Sequence, residues 1–133
     1  MPTTTSSSHP HFDDRGTLDW FKTFAEAQAA ARRDGKKILI EYGREKCSQC
    51  RAFVQSVVPR PEVAELLREN FVALASDCDD PEEEVEELAM KLEDATTLPF
   101  IVLADANGQF LEGIAGAVEA TTLQRMLERL TQD

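Results

Sequence analysis

The sequence predicts an α/β domain in which parallel strands are joined by helices and the last two strands form an antiparallel hairpin. Three observations lead there. Strand-like and helix-like stretches alternate along most of the chain. Two apolar runs, KKILIEY at residues 36–42 and FVALAS at residues 71–76, lack the polar alternation of a strand with one wet face. Near the end, Asn107-Gly108 separates two short apolar segments. Alternation of strand and helix calls for crossover connections, runs apolar on both faces fit the interior of a parallel sheet, and Asn-Gly is the strongest short hairpin signal.

Each element has a local cause. Residues 1–14 are rich in Ser, Thr, Pro and His and offer little to bury, so they are expected as a disordered tail ahead of a folded domain at 15–133. Both histidines, His9 and His11, fall in that tail and are expected to be solvated and remote from any catalytic centre. A strand is expected at 18–21, then a helix from Thr23, where Thr-Phe-Ala-Glu makes a capping box and Phe24, Ala27 and Ala31 share a face. Gly35 ends that helix, and the strand KKILIEY runs to Gly43.

A helix starting at the cysteine pair is expected to reach about Val57, where Pro59 stops it. Pro61 opens the helix PEVAELLREN before the strand FVALAS. In the acidic stretch that follows, Asp80 is placed to cap, Pro81 to take the first helical position and Glu83 to complete a capping box; Val85, Leu88, Ala89 and Leu92 form the inward stripe. LPFIVLADANGQFLEGI then gives two strands about a turn at residues 106–108, and Leu123, Met126, Leu127 and Leu130 mark a final amphipathic helix.

Bulk properties narrow the function. A chain of 133 residues is one domain's worth and buries roughly two thirds of its unfolded surface, so it needs no disulfide staple. A net charge of −11 with no basic stripe argues against nucleic acid, and no apolar run of about 18 residues is present to span a membrane. With neither the basic start nor the apolar core of a secretory signal at residues 1–12, the expected compartment is the cytoplasm. Ten of the chain's 25 acidic residues fall within residues 77–94 and read as a solvated helix face.

The chemistry lies in EYGREKCSQCRAF, residues 41–53. Cys47 at the mouth of a helix meets unpaired backbone N–H groups and the positive helix terminus, both of which favour the reactive thiolate. Cys50, one turn on, can attack a mixed disulfide formed at Cys47 and release the reduced partner. Arg44, Lys46 and Arg51 set three cations against Glu45 alone and would lower the thiol pKa further. Zinc uses the same spacing, but Cys47, Cys50 and Cys78 leave a fourth ligand to the aspartates around Cys78 once the histidines are assigned to the tail. The same assignment removes the base of a cysteine hydrolase. Cys78, past the strand FVALAS, is expected at the same sheet edge as the pair, as a packed free thiol.

Taken together these segments resemble the thioredoxin superfamily over about residues 18–130: KKILIEYGREKCSQC, PEVAELLRENFVAL, LPFIVLADANGQ and Gly116 occur in its order. The resemblance implies a three-layer α/β/α thioredoxin-like fold with a central mixed sheet. It also implies that Leu98-Pro99 holds the cis proline beside the cysteines, with the backbone of Leu98 pairing with an extended substrate. Glu41 would be the buried acid beneath the second cysteine, its pKa raised by burial, and the proton acceptor for Cys50. Three positions depart from the thioredoxin pattern: Lys46 replaces a tryptophan, Ser48-Gln49 replaces Gly-Pro, and Ala75 stands where a lysine often accompanies the acid.

The function expected from these residues is thiol-disulfide exchange on protein disulfides, by a monomer with no organic cofactor or metal, re-reduced by a reductase or another dithiol protein. The competing expectation is a thioredoxin-fold interaction module with little redox turnover.

Overall fold

A computed structural model describes residues 8–93 and 95–132. The strands are β1 (Trp20–Phe21), β2 (Lys37–Gly43), β3 (Phe71–Asp77), β4 (Phe100–Ala104) and β5 (Phe110–Ala115). The helices are α1 (Phe24–Asp34), α2 (Ser48–Ala52), α3 (Pro61–Asn70), α4 (Glu83–Ala89) and α5 (Ala120–Leu130). All five strands form one sheet in the order β1-β3-β2-β4-β5. β1, β3 and β2 are parallel, and β4 pairs antiparallel with both β2 and β5. Among the described residues no helix is long and apolar enough to cross a membrane.

Strand β2 is central, and its alternation divides the core. Ile38 and Ile40, with Val72, Leu74 and Val102, face α1 and α4. Leu39, with Ala73, Ala75, Ile101 and Leu103, faces the opposite layer, where Cys50, Phe53, Leu67, Leu123 and Leu127 pack. Because side chains alternate along a strand, Glu41 and Gly43 lie on the Leu39 side, toward α2. The three layers are therefore α1 and α4, the sheet, and α2, α3 and α5.

Local expectations hold at most boundaries. Thr23 Oγ1 accepts the N–H of Glu26 at the start of α1, and Gly35 closes that helix in the left-handed region at φ 66°. The hairpin turn is tied by Asp105, whose Oδ1 accepts N–H groups from Asn107 and Gln109 while its carbonyl accepts that of Gly108. α2 continues as a π-helical turn over Phe53–Val57, with Val58 N donating to Phe53 O at 3.0 Å. A helical apolar stripe does not distinguish that wider turn from an α turn.

Two expectations are corrected. α4 begins at Glu83, with Glu82 as its N-cap residue. Asp80 instead donates its backbone N–H to Asp77 O, closing a turn, and the Glu82 carboxylate accepts the N–H of Phe24 at 2.7 Å, serving α1. Leu92 lies past the end of α4 yet still packs on the core it was expected to join.

The second correction concerns the expected tail. Residues 1–7 lie outside the described residues, but His9, Phe12 and Asp14 are buried against the domain. Asp14, 1% exposed, accepts hydrogen bonds from Trp20 Nε1 at 2.9 Å, Leu18 N at 2.9 Å and Thr17 N at 3.2 Å. Phe12 stacks on His9, with ring centroids 5.4 Å apart, and Arg51 lies 5.8 Å above the Phe12 ring. Composition pointed to solvent because this segment has few apolar residues. It is held by hydrogen bonds and aromatic contacts that composition does not count.

Asp14→Ala leaves two buried donors, Leu18 N–H and Trp20 Nε1–H, without their acceptor, while Thr17 N–H keeps the Asp14 carbonyl, and it is expected to lower the unfolding free energy by about 3 kcal/mol. Urea unfolding followed through Trp20 fluorescence reads this directly. A loss within about 0.5 kcal/mol would show that the segment is not fastened there.

Candidate active site

Gly43 and Asp77 are register partners at the C-terminal ends of two parallel strands, so the chain leaves β2 and β3 at one edge of the sheet. The loop after β2 delivers Cys47 as the N-cap residue of α2, in extended conformation at φ −150° and ψ 110°. Its Sγ accepts the backbone N–H of Cys50 at 3.1 Å, and its carbonyl accepts that of Arg51 at 3.0 Å. The sulfur thus sits where a helix start supplies donors. Cys47 and Cys50 are paired as a disulfide with Cα atoms 5.2 Å apart. Cys47 is half-buried and borders a groove, whereas Cys50 is wholly buried in the α2 layer.

That groove, about 710 Å³, is lined by Cys47 together with Tyr42, Thr97, Leu98 and Phe100. The Leu98–Pro99 peptide bond is cis, and Pro99 O accepts the N–H of Gly116 at 2.9 Å. Tyr42 and Phe100, partners across β2 and β4, bring their rings to 5.7 Å.

The three expected cations are not gathered around one sulfur. Lys46 and Arg44 line the groove with Cys47, but Arg44 turns to Asp79, with an N···O distance of 2.9 Å. Proximity to Cys78 first, and Asp79 after it, holds the Arg44 guanidinium above its ordinary pKa. Arg51 lies instead over Phe12. Cys78 shares the groove with Cys47, as its sheet edge implied, but it is half-exposed and not a packed thiol. β3 ends one residue earlier, at Asp77, and Cys78 already belongs to the outgoing turn, its N–H bonded to Gly43 O at 2.8 Å. Among the described residues, Asp77, Cys78 and Asp79 gather ligand-type atoms.

Beneath the pair, Glu41 is 2% exposed, between Ala75 on β3 and Ile101 on β4. Burial of the carboxylate raises its pKa, and the hydrogen bond from His9 opposes that rise. Glu41 Oε1 is 2.7 Å from His9 Nε2. Its other oxygen turns toward Cys50: a Cβ placed on Gly43 would meet Glu41 Oε2 at 2.5 Å and Cys50 Sγ at 2.6 Å. Glycine at 43 is what allows the acid and the sulfur to flank one small space.

His9 is the site residue that sequence reasoning missed. It was assigned to solvent, yet it is 6% exposed and bonded to the buried acid. The argument against a hydrolase rested on the absence of a histidine in the domain, a premise that the burial of His9 corrects. Both ring nitrogens of His9 are engaged, by Glu41 and by the N–H groups of His11 and Phe12, and its contacts lead to the acid beneath Cys50.

The chain belongs to the thioredoxin-like family, whose family model matches residues 19–106. Solved structures agree on the fold. A thioredoxin from Thermus thermophilus superposes with a TM-score of 0.69 at 23% identity, covering 87% of this chain and 88% of that one. A putative disulphide-isomerase from Bacteroides thetaiotaomicron gives 0.68 at 20% identity over 87% and 93%, and a disulphide isomerase from Xylella fastidiosa Temecula1 gives 0.66 at 19% over 81% and 88%. A search of curated proteins finds no match to this chain.

The raised pKa of Glu41 fixes the sign of a pH effect. A carboxyl that holds its proton more tightly in the folded state contributes stability that is full below its ordinary value of 4.5 and is lost as pH rises through the higher folded value. His9, His11 and Asp77 act on this titration, and Lys22, Asp80 and Glu82 line the adjoining cavity. Glu41→Gln is therefore expected to flatten the decline in unfolding free energy above about pH 4.5 and to gain on the parent protein as pH rises. Urea unfolding across that range checks it, and an unchanged slope would contradict the assignment.

Proposed function

We propose that this protein is a thiol-disulfide oxidoreductase that exchanges disulfides in protein substrates through Cys47 and Cys50. The observation that carries the reading is the division of exposure within the pair. The Cys47 sulfur borders an open groove and accepts a helix N–H, while the Cys50 sulfur is sealed beside a buried acid. The first suits attack on an incoming disulfide; the second suits resolution of the mixed disulfide that forms.

In the reduced protein, Cys47 thiolate attacks a substrate disulfide and expels one substrate sulfur as thiolate. Cys50 gives its proton to Glu41 and attacks Cys47 Sγ, releasing the second substrate sulfur and leaving the Cys47–Cys50 disulfide. Two electrons pass from the protein dithiol to the substrate, and a dithiol reductant restores them by the reverse exchange. The backbone of Leu98 beside the groove is the proposed docking edge for an extended substrate segment, with Lys46 adding charge at its rim. Neither a metal nor an organic cofactor is needed for this exchange.

Alkylation of the reduced protein as a function of pH separates this reading from a binding module. Cys47 is expected to react at pH values below the ordinary thiol range, about 8.5, and Cys50→Ser to trap a mixed disulfide at Cys47. A Cys47 that reacts only as fast as a free thiol, with no trapped adduct, would leave a thioredoxin-fold interaction module.

Glu41→Gln is expected to slow resolution by about 100-fold while leaving attack by Cys47 within about twofold, the range of a lost general base. Single-turnover kinetics of the two product-release steps measures both. Equal effects on the two steps would remove Glu41 from the mechanism.

A further inference from the structure

The two nitrogens of the His9 ring have partners of different kinds. Nδ1 lies 3.1 Å from His11 N and 3.2 Å from Phe12 N, and a backbone N–H can only donate. Nδ1 must therefore present its lone pair and carry no proton. In the neutral ring the proton then sits on Nε2, which donates to Glu41 Oε1 at 2.7 Å. The ring plane is fixed as well. Phe12 stacks on one side, tilted by 23°, and the Trp20 ring meets His9 edge-on at 4.8 Å and 84°.

This tautomer has a consequence for the acid. With Oε1 occupied as an acceptor, the oxygen left to take up a proton is Oε2, the one that faces Cys50 Sγ across the space beside Gly43. We propose that His9 is a positioning residue for the resolving step: fixed as the Nε2–H tautomer by the backbone of residues 11 and 12, it pins Glu41 Oε1 and so presents Oε2 to Cys50 as the proton-accepting atom. The proposal rests on the reading of Glu41 as the acceptor for Cys50.

The step balances without titration of the ring. The Cys50 proton moves to Oε2, and the Cys50 electron pair forms the new bond to Cys47 Sγ. The bond from Cys47 to the substrate sulfur breaks, and that sulfur leaves with the bonding pair and takes a proton from water. Glu41 also lines a cavity of about 280 Å³ together with His9, His11, Lys22, Asp77 and Glu82. His9 acts by direction, as groups that orient a catalytic base do.

The test uses the full chain in reduced form, with His9→Leu, His9→Gln and Glu41→Gln. Glutamine keeps an N–H near the place of Nε2 and cannot titrate; leucine keeps bulk only. Two quantities are followed over pH: the rate of resolution of a Cys47 mixed disulfide, and the Glu41 carboxyl titration by carbon NMR. His9→Leu is expected to slow resolution about tenfold, a fraction of a full general-base contribution, with attack by Cys47 little changed. Removing the His9 donor is also expected to move the carboxyl titration to higher pH. His9→Gln should restore most of both.

Leucine leaving rate and titration at parental values would overturn the proposal. So would glutamine as slow as leucine, which would make the ring a proton carrier. If the parent protein shows no turnover, the oxidoreductase reading fails separately, and the titration decides alone: a rise with leucine that glutamine reverses sustains the hold on Glu41, and no rise ends it. Nitrogen NMR of His9 in the parent protein needs no variant to fold. An unprotonated Nδ1 is expected, and a protonated one would overturn the assignment.

Discussion

A carboxylic acid in the central strand of the sheet is the constraint around which the rest of this structure is arranged. Glu41 has a strand on each side and the α2 layer above it, so its polar atoms must be satisfied from within the protein. His9 satisfies one oxygen. Gly43 leaves room for the other next to Cys50. Ala75, the neighbour of Glu41 on β3, lines the same cavity as His9 and is small enough to leave space there. Among the described residues no buried side-chain polar atom lacks a partner, so this polar insertion is fully accommodated.

Holding His9 in place requires the segment before β1. Asp14 anchors that segment by collecting the indole N–H of Trp20 and the backbone of Thr17 and Leu18, and Trp20 in turn closes over the His9 ring. The chain from Asp14 through Trp20 and His9 to Glu41 is a continuous series of buried contacts ending under the cysteine pair. Networks of this kind strengthen one another in a low-dielectric interior and are costly to leave half made. Polar residues before the first strand are thereby part of the structural support of the site.

The sheet edge explains why the groove combines several chemistries. Parallel pairing of β2 and β3 brings the loop carrying Cys47 and the turn carrying Cys78 to one end, and the antiparallel entry of β4 brings Leu98 and Pro99 there as well. Exposure then separates the sulfurs. Cys47 is at the helix mouth, Cys50 is one turn inward, and Cys78 lies in the outgoing turn where Arg44 and Asp79 meet it. Local charge counting grouped Arg44, Lys46 and Arg51 around the pair, but side-chain direction sends two of them elsewhere.

Sequence alone determined the alternation of strands and helices, the caps at Thr23 and Gly35, the hairpin at Asn107-Gly108 and the position of Cys47 at a helix start. Each of these depends on residues within a turn or two of one another, which local propensity and periodicity describe well. Glu41 stood out as the one acid in the strand KKILIEY. Tertiary structure decided what that charge meets: 32 positions separate it from His9, and no period or spacing links the two. It also decided that Asp80 closes a turn while Glu82 caps a different helix. Contacts between distant parts of the chain are set by how the layers close, and a buried hydrogen bond gains its worth only once water has been excluded from both partners.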